Sequence, residues 1–141
     1  MDWLSHISQL NWLAVLLAFI SSMVIGFVWY MPAVLGRRWM AAIGKTEEDL
    51  KDISGGAGIW VPMMAAAALT AVLLAVLISK LGLDNAVAGG WFALVLALVF
   101  RAGGHFIHNG FAGRPAAVTL IDSGHDLLAM TVAGAIIGAM P

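Results

Sequence analysis

Residues 10–30, LNWLAVLLAFISSMVIGFVWY, form an uncharged apolar run that is long enough to cross a lipid bilayer. A hydrocarbon core of about 30 Å requires about 20 helical residues. Trp12 and Trp29 stand near the two ends of the run, as expected for indole rings at the two membrane interfaces. No Lys or Arg precedes the run, so we expect it to stay in the membrane as an anchor and not to be removed as a secretory signal.

Three more apolar runs follow, and they predict spans over about residues 59–79, 86–104 and 116–140. The whole composition agrees, because hydrophobic residues make up 62% of the chain and charged residues 11%. Soluble domains contain about 45–50% and about 25% of these classes. The surplus of apolar surface requires lipid as its solvent. The sequence therefore predicts an all-α fold, a bundle of four transmembrane helices that forms one transmembrane domain over residues 1–141.

The connection between the first two spans contains a helix signal. Thr46 is followed by Glu47, Glu48 and Asp49, which is the pattern of a helix N-cap with acidic residues in the first turn. The pattern predicts a short helix at the cytoplasmic surface, from Glu47 to about Ile53.

The cationic residues are distributed unevenly among the connections. Four lie between the first two spans, two lie near the third-to-fourth connection, and one lies in the second-to-third turn: Arg37, Arg38, Lys45 and Lys51; Arg101 and Arg114; and Lys80. By the positive-inside rule, this distribution puts the first and third connections in the cytoplasm and both termini on the outer face. The net charge of −1 offers no basic surface to nucleic acid, and the absence of cysteine excludes disulfides and thiolate ligands.

Ionisable side chains near the third-to-fourth connection are the features most in need of a function. Such a group costs about 2.5–3.5 kcal/mol at the centre of a membrane helix. Each of the two helices presents a set at the spacing of one helical face: Arg101, His105 and His108 on the third, and Asp122, His125 and Asp126 on the fourth. A hairpin folded near Ala112 brings the two sets to similar depths.

Three interpretations of these residues stay open. In the first, Arg101 forms a buried ion pair with Asp122 or Asp126, and the histidines take hydrogen-bonding roles. In the second, a divalent transition metal is the cofactor, although a fixed arginine nearby disfavours a bound cation. Its ligands would be His105, His108, His125 and a carboxylate, Asp122 or Asp126. In the third, the His and Asp side chains exchange protons along an ion pathway.

Small residues recur every four positions near the end of the fourth span. Gly134 and Gly138 form one such pair, and Ala129 and Ala133 form another. Small residues at this spacing let helix backbones approach closely in a membrane. They indicate helix packing either within the bundle of one chain or between copies in an oligomer.

Several segments resemble those of the small bacterial membrane proteins grouped as domain of unknown function 1761. The similarity covers nearly the whole chain, and its most specific parts are a Trp-Tyr-x-Pro segment and a Gly-Arg-Pro turn. The matching segments are residues 11–15, 29–32, 35–40, 111–115, 120–124 and 134–138. The resemblance implies a four-helix protein of the bacterial inner membrane and no assigned activity.

The same resemblance bears on the polar residues. An aromatic residue, often tyrosine, is usual in the family at the position of His125, and histidines at His105 and His108 are unusual. The full set of imidazoles is then a feature of this chain, and a function shared by the family would rest on Asp122 and the Gly-Arg-Pro turn.

The sequence favours a non-enzymatic membrane component, either an accessory or structural subunit or a self-associating bundle. Its expected partners are the lipid bilayer and either further copies of the chain or a larger membrane complex. The alternative is a metal-binding or ion-conducting protein that uses the polar residues of the third-to-fourth hairpin. Enzymatic activity is less favoured, since no metal-free catalytic arrangement of residues is evident.

Overall fold

Four long apolar helices make up most of the protein, in a computed structural model that describes residues 7–54 and 56–141. The side chains of residues 52–54 and 57 are outside that description. In chain order, the helices are α1 (Trp12–Trp29), α2 (Arg37–Ile43), α3 (Glu47–Ser54), α4 (Ala57–Lys80), α5 (Ala86–Phe111) and α6 (Ala116–Ala139). The helices α1, α4, α5 and α6 are long and apolar enough to cross a membrane, which confirms the predicted fold.

Asparagine side chains begin two of the long helices. The Asn11 side chain accepts a hydrogen bond from the backbone N–H of Ala14, and the Asn85 side chain accepts one from that of Ala88. These caps satisfy backbone donors that a helix cannot pair internally. Asn11 also donates to the carbonyl oxygen of Met140 at 3.2 Å, which joins the start of α1 to the end of α6. We call this end of the bundle the capped end, and the end with the α5–α6 turn the hairpin end.

The connection from α1 to α4 contains two short helices. A π-helical turn over Pro32–Gly36 leads into α2, and α2 ends at Gly44, whose φ of 67° favours glycine. Sequence analysis did not predict α2. The predicted short helix is confirmed as α3, whose cap joins Thr46 and Asp49 by reciprocal hydrogen bonds. The backbone and side-chain hydrogen bonds from Thr46 hold the pKa of Asp49 below its ordinary value.

The helix α5 is longer than predicted. The prediction ended it near Gly104, whereas the helix continues through Gly103 and Gly104 to Phe111. Hydrocarbon provides no water for unpaired backbone groups, so a membrane helix tolerates glycines that would weaken a helix in water. Its middle, Ala97–Ala102, is π-helical, which alters the direction in which the following side chains point.

The helix α6 lies at the centre of the bundle and packs against α1, α4 and α5. It has the lowest mean hydropathy of the four spans and the largest share of buried residues. These two properties belong together, because polar side chains in a membrane protein are favoured where protein and not lipid surrounds them.

The apolar core lies towards the capped end. Ala18 of α1, Leu74 of α4, Ala93 of α5 and Ile137 of α6 are all buried in one cluster. In contrast, residues 58–66 at the start of α4 are exposed wherever their side chains are described. The four spans are therefore most tightly joined at the capped end, and α4 covers little of the bundle at the hairpin end.

The small residues of α6 are buried within the chain. A Cβ atom added at Gly134 would overlap the carbonyl oxygen of Gly89 and the Cβ atom of Ala93, and one added at Gly138 would lie 3.1 Å from the Cα atom of Gly89. Ala129 and Ala133 are also buried. These glycines allow the close contact of α5 with α6, so they cannot at the same time form an interface with another copy.

We expect Gly134→Ala to destabilise the bundle, because overpacking of a tight contact costs about 1–3 kcal/mol. Gly104→Ala is the matched control, since a Cβ atom there would have nothing within 4 Å. The control should be neutral or stabilising, because alanine favours a helix more than glycine does. Thermal unfolding in detergent, followed by circular dichroism, measures both variants. Equal melting temperatures would contradict the close approach of the two helices.

Candidate functional site

The carboxylate of Asp126 is the centre of the polar cluster. Asp126 is buried on α6, and three side chains bind its two oxygens. Arg101 Nε donates to Oδ2 at 3.1 Å, and His105 Nε2 lies 3.0 Å from the same oxygen. His125 Nδ1 lies 3.1 Å from Oδ1. The carboxylate thus connects two residues of α5 with one neighbouring residue of α6.

The protonation of the two histidines follows from their shared acceptor. An ionised carboxylate only accepts hydrogen bonds, so the ring nitrogens that face Asp126 carry the protons. In a neutral imidazole the nitrogen that faces away from Asp126 then carries a lone pair. That nitrogen is Nδ1 in His105 and Nε2 in His125. His125 Nε2 is buried and has no hydrogen-bond partner among the described residues. It faces Gly26, where a Cβ atom would lie only 3.2 Å away.

The second aspartate has different partners. The Tyr30 hydroxyl donates to Asp122 Oδ1 at 2.7 Å, and Trp39 Nε1 donates to the same oxygen at 2.9 Å. Sequence analysis left open whether Arg101 pairs with Asp122 or Asp126, and the arginine binds Asp126. Side chains four residues apart on a helix differ by about 40° in direction. That rotation is enough to turn Asp126 towards α5 and Asp122 towards α1 and α2.

Aromatic rings from α1 and α2 surround the side of α6 that carries Asp122. The Tyr30 ring lies 5.4 Å from that of Trp39 and 5.4 Å from that of His125, between centroids. Trp29 Nε1 donates to the carbonyl oxygen of Ile121 at 3.0 Å. Sequence analysis assigned Trp29 to the membrane interface and gave neither Tyr30 nor Trp39 a role in the site. The spacing of these aromatic residues along the sequence gives little indication of the contacts, because the contacts depend on the turn and helix that follow α1.

The face of α5 that contacts α6 differs from the predicted one. Asn109 Nδ2 donates to Thr119 Oγ1 at 3.1 Å, whereas His108 is exposed. The contact line therefore follows Arg101, His105 and Asn109, at steps of four residues, and not the predicted steps of four and three. Helices that pack along rows of every fourth residue have a contact line that winds around the helix. His108 falls outside that line.

The residues predicted to bind a metal have different neighbours in the structure. Across residues 7–54 and 56–141, no group of three or more His, Asp or Glu side chains is arranged to hold a metal ion. Of the predicted ligands, His108 is exposed and Asp122 is bound by Tyr30 and Trp39. The remaining histidines both donate to a carboxylate that Arg101 already neutralises. In this geometry both histidines take part in hydrogen bonds within the chain.

Comparison with protein families agrees with the resemblance seen in the sequence. A family model described as Protein of unknown function (DUF1761) matches residues 13–138. Comparisons with curated proteins and with solved structures gave no match.

We expect Asp126→Asn to destabilise the protein more than Asp122→Asn. The first change leaves the guanidinium of Arg101 without its counter-ion, while the second leaves two neutral donors, on Tyr30 and Trp39, that still have an amide oxygen to bind. Hydrogen bonds to charged groups contribute about 1.5–3 kcal/mol each, so the loss at Asp126 should lie in or above that range.

Unfolding of both variants in the same detergent measures the difference. An Asp122→Asn variant that unfolds as readily as Asp126→Asn would contradict the central position of Asp126.

Proposed function

Because the chain belongs to the family described as Protein of unknown function (DUF1761), and four of its helices could cross a membrane, we propose that it is a non-enzymatic membrane component. Its role would be that of an accessory or structural subunit in a membrane complex. The observation that carries this proposal is that three side chains of the same chain bind the two oxygens of Asp126. A carboxylate bound in this way stabilises a hairpin and has little capacity left for a substrate.

The distribution of polar groups along the bundle supports the same role. Asp122, His125 and Asp126 lie in the half of α6 towards the hairpin end, whereas small and branched apolar residues fill the half towards the capped end. Ala18, Leu74 and Ala93 are each buried there with almost no exposure. A polar path through the chain would have to cross this apolar layer, so conduction by a single copy is disfavoured.

The proposal includes a location and an orientation. The protein would lie in the bacterial cytoplasmic membrane, with the hairpin end in the cytoplasm and the capped end on the outer face. The excess of Lys and Arg near the hairpin end supports this orientation, because such residues are retained on the cytoplasmic side.

The chain has no cysteine, which makes the orientation directly testable. We expect a membrane-impermeant maleimide to label an Asp84→Cys variant, in the α4–α5 turn, in intact spheroplasts. A Glu48→Cys variant in α3 should react only after the membrane is broken. Both positions are exposed, so a difference in labelling reports the side of the membrane and not burial. The reverse pattern would overturn the orientation.

A second candidate function is proton transfer through the cluster. One observation favours it. Within the part of the chain that the structure describes, His125 Nε2 is buried without a partner, next to an imidazole–carboxylate–imidazole series that begins at the partly exposed His105. Imidazole and carboxylate groups in series are the side chains that form proton relays within membrane proteins.

Proton flux into proteoliposomes separates the two functions. For a structural subunit, we expect vesicles with the parent protein to leak protons no faster than vesicles with Asp122→Asn or Asp126→Asn. If the flux exceeds that of empty vesicles and is lost in Asp126→Asn, proton transfer becomes the better proposal. Equal insertion of the three proteins, checked by protease accessibility of the reconstituted vesicles, serves as the control.

A further inference from the structure

Arg101 is only partly used by the contacts within the chain. Its Nε atom donates to Asp126, while 52% of its side chain is exposed. Neither terminal guanidinium nitrogen has a hydrogen-bond partner among the residues that the structure describes. Leu98, one turn earlier on the same face of α5, is 57% exposed. A cation with free donors therefore lies beside an exposed apolar side chain on the outer surface of the bundle.

The depth of Arg101 makes this exposure costly. The 26 residues of α5 extend about 39 Å at helical rise, so a centred core of about 30 Å leaves a few ångströms of helix outside at each end. In this centred placement, Arg101 lies ten residues before Phe111 at the hairpin end, which is about 10 Å inside the hydrocarbon. Phe106 and Ile107, which lie between Arg101 and that end, and Phe111 at the end itself are exposed and apolar, as in a surface that contacts lipid. His108 is the exposed polar residue of this stretch.

A lipid phosphate is poorly placed to bind this guanidinium. Side chains on a helix lean towards its N-terminus, which for α5 is the direction away from the nearer membrane surface. The hydrogen bond to Asp126 also holds the guanidinium at this depth. The free donors are therefore best satisfied by an acceptor that is itself carried into the membrane, which means a side chain of another transmembrane helix.

A second copy of the chain does not supply that acceptor. The four spans contain two carboxylates in all, Asp122 and Asp126. Asp126 is bound at both oxygens, and Asp122 is bound at Oδ1 on the side of α6 that faces Tyr30 and Trp39. The hydroxyl groups of Ser22 and Thr70 are bound to carbonyl oxygens of their own helices, and that of Ser123 is buried. Charge complementarity thus points to a different protein.

We propose that the face of α5 around Leu98 and Arg101 binds a transmembrane helix of another protein, and that an Asp or Glu of that helix pairs with the Arg101 guanidinium. This inference rests on the proposed role as an accessory subunit and names the chemistry of the partner. The partner carboxylate accepts from the two terminal nitrogens, in the planar fork geometry that arginine presents to carboxylates. Asp126, on the Nε side, keeps the fork in place.

A defined helix peptide tests the pairing without an identified partner. The probe is a fluorescent Leu/Ala transmembrane peptide with one Glu about a third of the way in from the end that will lie at the hairpin end. Matched peptides carry Gln or Leu at that position. Energy transfer to the labelled full-length protein in lipid nanodiscs measures the association. We expect the Glu peptide to bind the parent about tenfold more tightly than the Gln peptide.

Arg101→Gln should abolish this preference, and Arg101→Lys should retain part of it, because lysine keeps the charge and loses the fork. The preference is a ratio between two peptides on one protein, so a moderate loss of stability in a variant does not obscure it. Equal binding of the Glu and Gln peptides to the parent would overturn the proposal.

Two other outcomes would also overturn it. In native mass spectrometry, Arg101-dependent retention of phosphatidylglycerol over phosphatidylcholine would show that a lipid phosphate occupies the site. Self-association lost in Arg101→Gln would show that a second copy does.

Failure of this inference can be distinguished from failure of the proposed function. If a membrane complex with the Arg101→Gln variant still forms, the pairing of Arg101 is contradicted and the accessory role is not. If proton flux depends on Asp126, the accessory role is contradicted, whatever the peptides do.

Discussion

The carboxylate of Asp126 must be bound by donors from the protein itself, because the hydrocarbon around the bundle offers none. Arg101 and His105 meet this requirement from α5, and His125 meets it from α6. The position of α6 at the centre of the bundle follows from it, since the helix with the most polar residues needs protein on every side. The close α5–α6 contact at the capped end, through Gly89 and Gly134, completes the same hairpin.

The two aspartates divide the cluster between different neighbours. Asp126 joins the two helices of the hairpin, while Asp122 connects α6 to the end of α1 and to α2 through Tyr30 and Trp39. A short amphipathic segment outside the spans is thereby fastened to the centre of the bundle. The second connection also explains why aromatic residues follow α1 so closely, because a hydrogen bond from an indole or phenol ring brings both a donor and apolar bulk.

A membrane protein can have a well-packed centre and still have hydrogen-bond donors without partners at its surface. The contact between small residues buries the surface that most resembles an oligomer interface. In contrast, Arg101 is half exposed, and its terminal nitrogens have no partner among the described residues. The stable hairpin and the unsatisfied cation are parts of one arrangement, because Asp126 holds Arg101 through a single nitrogen. This arrangement is compatible with a subunit that is stabilised by its own network and completed by a partner.

The sequence by itself determined the four spans, the helix α3 and the two sets of polar residues, because these depend on local hydrophobicity, capping and helical spacing. It also narrowed the partners of Arg101 to two aspartates. Only the tertiary structure decided that Asp126 is the partner, that Asn109 replaces His108 on the contact line, and that Trp39 reaches Asp122. These contacts depend on the rotation of each helix about its axis, on the π-helical segments and on the path that the chain takes after α1. A change of about 40° in direction leaves the sequence pattern intact and sends a side chain to a different neighbour.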